Sequence, residues 1–342
     1  MSGEVSKPHL EAPDGPVSPS SRFYIERSAD RLALEAIKRQ GVTITIRAPY
    51  QMGKTSLLSR LVNKASKEGK KVATLNFQSF DKSSLTHAST FFRQFCIWLS
   101  DELNIEDQTE DFWKRSLGNV QLCTHYISRY IFKETQMPLL IAIDDVNAII
   151  DADFRSDFFD MIRSWHNRRS VSKQWSKVDI ILATSTEPSL LISDIPISPF
   201  NIGGTVVLDD FTPEQISELN DRHGSVLTRD REQQLITILG GHPYLVRQAL
   251  YLIASGRMST GDMSTHTIAD DGPFRDHLHI LLLRLHHQPE LIEGFRQILQ
   301  NQNCSVDVYY RLHSTDLVRR EGLNMTPRNQ LYVMFFARHL LS

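Results

Sequence analysis

The sequence predicts an α/β protein: a parallel sheet flanked by helices over residues 22–209, then a helical stretch at 210–256 and a module of helices plus a hairpin at 274–342. Three observations carry this reading. From residue 22 onward, short apolar runs alternate with longer amphipathic ones. The β-branched run "VTITI" (42–46) leads through a short loop into Gly53-Lys54-Thr55 and a helical pattern. The run "PLLIAID" (138–144) is apolar throughout and too short for a helix, as expected of a strand covered on both faces.

The elements follow in order. Residues 1–21 are rich in Pro, Ser and Gly, lack a hydrophobic signal segment, and read as a disordered leader. "FYIERSADRLALEAI" (23–37) has an extended apolar start and then an amphipathic helix. Strand 42–46 precedes a helix over 54–69, with Leu57, Leu58, Leu61, Val62 and Ala65 on one face. "KVATLNF" (71–77) is the second strand, and helical stretches follow near 86–104 and 109–135. Strands at 138–144, 178–185 and 205–209 complete the sheet. In the stretch after residue 210, Thr212 reads as an N-cap, with Pro213 at the first helical position and Gln215 closing a capping box. A second helix over 230–241 stops at Gly240, and a third starts at Pro243. Residues 257–273 read as a connector, and "LVRREGLNMTPRNQLYVMFF" (317–336) as two short strands around a polar turn. Helices followed by such a hairpin suggest a winged-helix-like domain over 274–342.

Bulk properties remove several function classes. A net charge of −2 argues against a nucleic-acid binder that uses its whole surface. Cys96, Cys123 and Cys304 are widely spaced, suggesting neither a disulfide framework nor a metal cage. No apolar run approaches the ~20 residues needed to cross a bilayer, so no membrane role and a cytoplasmic location are expected. The histidines, including His277, His279, His286 and His287, lack zinc-type spacing with cysteines.

The chemistry starts at "APYQMGKTS" (48–56). A phosphate-binding loop curls consecutive backbone N–H groups around phosphates, aided by the positive end of the following helix. The nucleotide-binding set is therefore Ala48, Pro49, Tyr50, Gln51, Met52, Gly53, Lys54, Thr55 and Ser56. Lys54 is expected to reach the β- and γ-phosphates of ATP, and the Thr55 hydroxyl to bind Mg²⁺. The first glycine of the usual motif is replaced by Ala48, the smallest alternative. About 90 residues on, Asp144 stands where the Mg²⁺-water ligand of such ATPases sits, and Asp145 where a Glu often polarises the attacking water. Asp is one methylene shorter than Glu, so slow hydrolysis is expected. Thr184 and Ser185 end the next strand, where a polar pair could sense the γ-phosphate. Pro243 starts a helix and could also press on adenine, Arg247 could reach a phosphate or lie on the surface, and Tyr24 with Ile25 could cover the base or belong to the core. Basic residues cluster in 163–177 and, near the end, as Arg319, Arg320 and Arg328; either cluster could meet phosphates, and a solvated face is the simpler account.

Four phrases, "QMGKTSLLSRL" (51–61), "FFDMIRSWHNRR" (158–169), "ATSTEPSLLISDIPISPFNIGGTVVLDDFTPEQISELNDRHG" (183–224) and "LGGHPYLVRQALY" (239–251), resemble a bacterial family of AAA-like STAND P-loop NTPases common in cyanobacteria. "MTPRNQLYVMFF" (325–336) resembles that family's ending. The resemblance implies an ASCE-type P-loop core with an extra strand between the two Walker strands, then a helical lid and a winged helix. It further implies a signal-transduction switch in which ADP holds a closed form and ATP permits opening and homo-oligomerisation. Beside such a switch the chain leaves only the leader, so separate effector and sensor proteins are expected as partners. An ATP-controlled DNA-binding regulator or loader is the alternative. The segment that would read DNA, 304–317, offers only Arg311, with two Asp residues beside it, and gives that alternative little support.

Overall fold

A computed structural model describes residues 10–191, 203–262, 267–269 and 272–341. The "SPFN" phrase (198–201), parts of the connector and residues 1–9 of the leader lie outside the described residues. Two compact units organise the chain: a sheet unit of Ser28–Ala48 and Lys54–Leu208, and a helical unit of Met1–Arg27, Pro49–Gly53 and Asp209–Ser342.

In the sheet unit, α1 (Ser28–Ala36) precedes β1 (Thr43–Arg47), α2 (Lys54–Lys67) and β2 (Lys71–Asn76). Next come α3 (Ala88–Leu103), α4 (Thr109–Trp113), α5 (Asn119–Tyr126) and α6 (Phe132–Thr135), with a π-helical turn at Ile127–Ile131 between the last two. The expected single helical stretch near 109–135 is thus broken, and Gly118 begins α5 as its N-cap. β3 (Leu139–Asp144), α7 (Arg155–Arg168), β4 (Val178–Thr184), α8 (Pro188–Leu191) and β5 (Gly204–Val207) complete the unit.

All strand pairs in this sheet are parallel, in the order β2-β3-β4-β1-β5. β4 therefore lies between β1 and β3, the inserted strand that the resemblance implies. β3 and β4 are buried along their whole length, which explains why they read as unbroken apolar runs. α3 buries Phe91, Phe92, Phe95, Cys96, Leu99 and Leu103, a stripe at helical spacing. These join Phe77, Phe158 and Trp165 in one aromatic core, with Phe77 ring centroids 5.3–6.3 Å from Phe80, Phe91, Phe95 and Phe158 in edge-to-face geometry. At the start of β4, Asp179 Oδ1 accepts from the Val42 amide at 2.8 Å and Oδ2 accepts from Lys70 Nζ at 2.6 Å; both side chains are buried.

The helical unit holds α9 (Pro213–Arg222), α10 (Arg229–Leu239), α11 (Pro243–Ala254), α12 (Arg275–His286), α13 (Pro289–Leu299) and α14 (Val306–Ser314). The antiparallel hairpin β6 (Val318–Glu321) and β7 (Asn324–Pro327) follows, then α15 (Gln330–Leu340). The Thr212–Gln215 capping box forms, and Gly240 ends α10 in the left-handed conformation. One expectation is corrected: residues 330–336 are helix, not strand. Asn329 caps that helix by accepting from the Tyr332 amide at 3.0 Å, while Leu331, Tyr332, Phe335 and Phe336 form a buried stripe at helical spacing. The aromatic run suits a strand locally, but the cap and this stripe favour the helix. The leader is corrected as well over residues 10–21. These carry no helix or strand, yet Leu10 packs on the helical core, Pro13 is buried, and Arg247 donates to the Ala12 carbonyl at 3.5 Å.

Candidate functional site

In the sheet unit, β1 and α2 stand on either side of the predicted phosphate loop. β1 ends at Arg47, and the Ala48 amide donates to the Thr184 carbonyl at 3.3 Å, tying the loop's departure to β4. Ala48 is buried, a position where a small residue fits. Lys54 and Ser56 are buried in the first turn of α2. Between them, the Thr55 hydroxyl donates to Asp144 Oδ2 at 2.6 Å, joining residues 89 positions apart. Asp144 ends β3, and its Oδ1 accepts from the Asp145 amide at 2.9 Å. Asp145 adopts the left-handed conformation (φ 50°), so the chain turns sharply just past the strand end.

A hydroxyl beside a carboxylate at a helix N-terminus is an all-oxygen donor set, which fits Mg²⁺. Such an ion would supply charge neutralisation to a bound phosphate. Thr55 and Asp144 would hold it.

The other predicted residues of this unit are partly committed elsewhere. The Thr184 hydroxyl accepts from the Thr186 amide at 3.1 Å. The Ser185 amide donates to Asn147 Oδ1 at 3.1 Å. Asn147 follows the Asp pair by two residues and escaped the sequence reading, because a lone Asn after a strand carries no distinctive pattern.

The loop tip, Pro49–Gly53, belongs to the helical unit. The Arg284 guanidinium stands 3.8 Å from the Tyr50 ring centroid. Gln51 is left-handed (φ 60°), and its Oε1 lies 2.5 Å from His277 Nδ1. The Met52 carbonyl accepts from Arg27 at 2.9 Å, and Arg328 reaches its sulfur at 3.4 Å. Gly53 has φ 92°, and a Cβ there would sit 3.3 Å from Arg27, so glycine is favoured by conformation and by space. Arg27, His277 and Arg284 were not legible as loop contacts, since they are distant in sequence.

Around the tip lies a buried charge network. Arg328 Nη2 pairs with Asp210 Oδ1 at 2.7 Å, and Nε with Asp316 Oδ1 at 3.0 Å. Asp316 Oδ2 is 2.7 Å from His242 Nε2, on the residue capping α11. Burial would raise the Asp316 pKa, but Arg328 and His242 more than offset it and hold the carboxyl below its usual range. Burial prevails at Asp210, whose pKa is raised despite Arg328.

Of the expected adenine residues, Ile25 belongs to the helical core and Pro243 is buried at the first position of α11. The Tyr24 carbonyl accepts from Arg222 at 2.7 Å. Arg247 is buried under Phe23 and lies 3.8 Å from Glu11. Three basic residues of the C-terminal segment are engaged: Arg311 with Glu290 at 2.9 Å, Arg319 with Glu321 at 2.5 Å, and Arg328 as above. No helix among the described residues is long and apolar enough to cross a membrane.

Comparison with known proteins bears on the family and the fold. The chain is 23% identical over 265 residues to an uncharacterized WD repeat-containing protein of Synechocystis, an alignment covering 75% of this chain and 22% of that protein. The chain thus spans about a fifth of that relative's length. Among solved structures, the Walker-type ATPase of Pyrococcus abyssi superposes with a TM-score of 0.65 at 13% identity, covering 94% of this chain and 98% of that one. The ORC2 protein of Aeropyrum pernix, in its ADPNP–ADP complexes, gives 0.52 at 12% identity, covering 96% and 99%. The fold is that of P-loop ATPases, and residues 12–338 match the AAA-like domain, so the chain belongs to the AAA-like domain family.

Proposed function

We propose that this chain is a STAND-type molecular switch that binds ATP and ADP with Mg²⁺, hydrolyses ATP slowly, and couples nucleotide exchange to conformational change and assembly. The observation that carries this is the 2.6 Å bond between Thr55 and Asp144, which brings the two predicted Mg²⁺-binding side chains together. Lys54 neutralises the β- and γ-phosphates, and Asp145 polarises the attacking water. Tyr24, Ile25 and Pro243 contribute apolar surface for the base, while Thr184, Ser185 and Arg247 respond to the terminal phosphate. α9–α11 act as a lid, and residues 274–342 as a winged-helix-like module. The product is an assembly, either a homo-oligomer or a complex with separate sensor and effector proteins. Moving such a switch from 1:99 to 99:1 requires ATP to favour one form by ~5.5 kcal/mol. The engaged state of Arg311, Arg319 and Arg328 favours this reading over direct DNA recognition.

Calorimetric titration with MgATP tests the site. Lys54→Ala should abolish binding, and Asp145→Asn should slow single-turnover hydrolysis while leaving affinity intact. Undiminished binding by Lys54→Ala overturns the assignment.

A further inference from the structure

Gln51 is a non-glycine residue held in the left-handed conformation at the tip of the loop, where backbone geometry decides how an anion is met (φ 60°). That conformation disfavours an L side chain and persists only where surroundings enforce it. The enforcing contact is a directional chain of hydrogen bonds. The Gln51 Oε1 atom can only accept, so His277 Nδ1 carries the proton and donates to it at 2.5 Å. His277 Nε2 is then an acceptor and receives the Tyr332 hydroxyl at 2.6 Å. The imidazole is buried, stacked near the Tyr332 ring at 5.7 Å and flanked by Tyr244 at 5.5 Å, so it has little freedom to turn.

We infer that His277 is a positioning residue for nucleotide binding: through Gln51 it locks the phosphate-loop tip in its left-handed turn, and so sets nucleotide affinity from the C-terminal segment. This role rests on the loop's holding nucleotide, as proposed above. Two further features of the helical unit support it. Burial, with His242 beside it, lowers the His277 pKa to about 3, so the ring stays neutral and keeps its one-donor, one-acceptor pattern. Arg27 takes the neighbouring Met52 carbonyl at 2.9 Å, fixing the next residue from the opposite end of the sequence.

A double-mutant cycle between positions 277 and 51 tests the role in the full-length chain. His277→Phe keeps a ring in the stack but removes both hydrogen bonds; Gln51→Gly makes the left-handed turn intrinsically acceptable. His277→Phe should weaken MgATP binding about tenfold in calorimetry, the order of affinity carried by one left-handed residue. In the Gln51→Gly background the same change should cost less than about twofold. Equal losses in both backgrounds would assign His277 to core packing alone and overturn the inference, as would no loss in either. Hydrogen exchange of the Met52 and Gly53 amides in nucleotide-free protein is the second readout. It should quicken in His277→Phe relative to the unsubstituted chain, and unchanged exchange likewise overturns the role. Failure of the unsubstituted chain to bind MgATP would instead remove the functional reading, leaving the exchange result to judge the lock itself.

Discussion

Replacing Lys70 by Met should strongly destabilise the sheet unit, although residue 70 lies at the end of the strands opposite Asp144. Lys70 Nζ donates to Asp179 Oδ2 at 2.6 Å and to the Ile37 and Arg39 carbonyls, and both charged side chains are buried. Methionine preserves much of the volume but leaves the Asp179 carboxylate without its principal cation. Breaking one side of a buried pair costs ~3–5 kcal/mol. The Ile37 carbonyl loses its donor too, adding about 1 kcal/mol. Arg169, whose charge also acts on Asp179, returns part of this, so a net loss of about 4 kcal/mol is expected at pH 7. Burial already raises the Asp179 pKa above its ordinary value of 3.8, with the Lys70 hydrogen bond opposing the rise. Without Lys70 it climbs further. An acid whose folded pKa is raised favours folding most below its unfolded pKa and loses that advantage as pH rises through the folded value. The Lys70→Met deficit should therefore be full at neutral pH and shrink toward pH 4. Adding Asp179→Asn removes the charge yet keeps an oxygen for the Val42 amide, so the double variant should recover about half the loss. Guanidinium unfolding followed by tryptophan fluorescence is a suitable assay, because all four tryptophans (98, 113, 165 and 175) lie in the sheet unit. A loss below about 1 kcal/mol, or one that neither acid nor Asp179→Asn relieves, refutes the reasoning.

Two further outcomes concern the helical unit. Asp316→Asn leaves Arg328 and His242 without their shared carboxylate and should cost about 3 kcal/mol at pH 7. Because the folded pKa of Asp316 is depressed, its contribution is present above the unfolded value of 3.8 and lost as pH falls through the folded one; the deficit should close in acid, as hydrogen exchange across α11–α15 would record. Gly241→Ala should lower the melting temperature by circular dichroism, at a cost of about 2 kcal/mol. Its φ is +81°, and a Cβ would stand 2.6 Å from the Phe211 carbonyl oxygen.

The sheet and the Thr55–Asp144 contact were legible because their causes are local or strongly patterned. β3 and β4 are continuous apolar runs, since both faces of a central parallel strand are covered, and Gly53-Lys54-Thr55 stands between a strand and a helix. The caps at Thr212 and His242 are likewise short-range chemistry between side chain and backbone, and threonine, unlike histidine, is a residue strongly preferred at that position. Residues 330–336 misled because aromatic runs suit strands locally, while the Asn329 cap and a buried helical stripe favour the helix. Residues 10–21 have a disordered composition, yet Leu10 packs on the helical core, Pro13 is buried, and the Ala12 carbonyl meets Arg247, 235 positions away.

The sequence by itself therefore determined the α/β class, the strands of the parallel sheet and the place of Gly53-Lys54-Thr55 between a strand and a helix, because periodicity and turn chemistry act over a few residues. Only the tertiary structure decided what grips the loop tip. Gln51 meets His277, Met52 meets Arg27 and Arg328, and Asp316 meets His242 and Arg328. Each of these is a polar group taken out of water whose partner is chosen by folded proximity, and neither partner's local sequence records that choice.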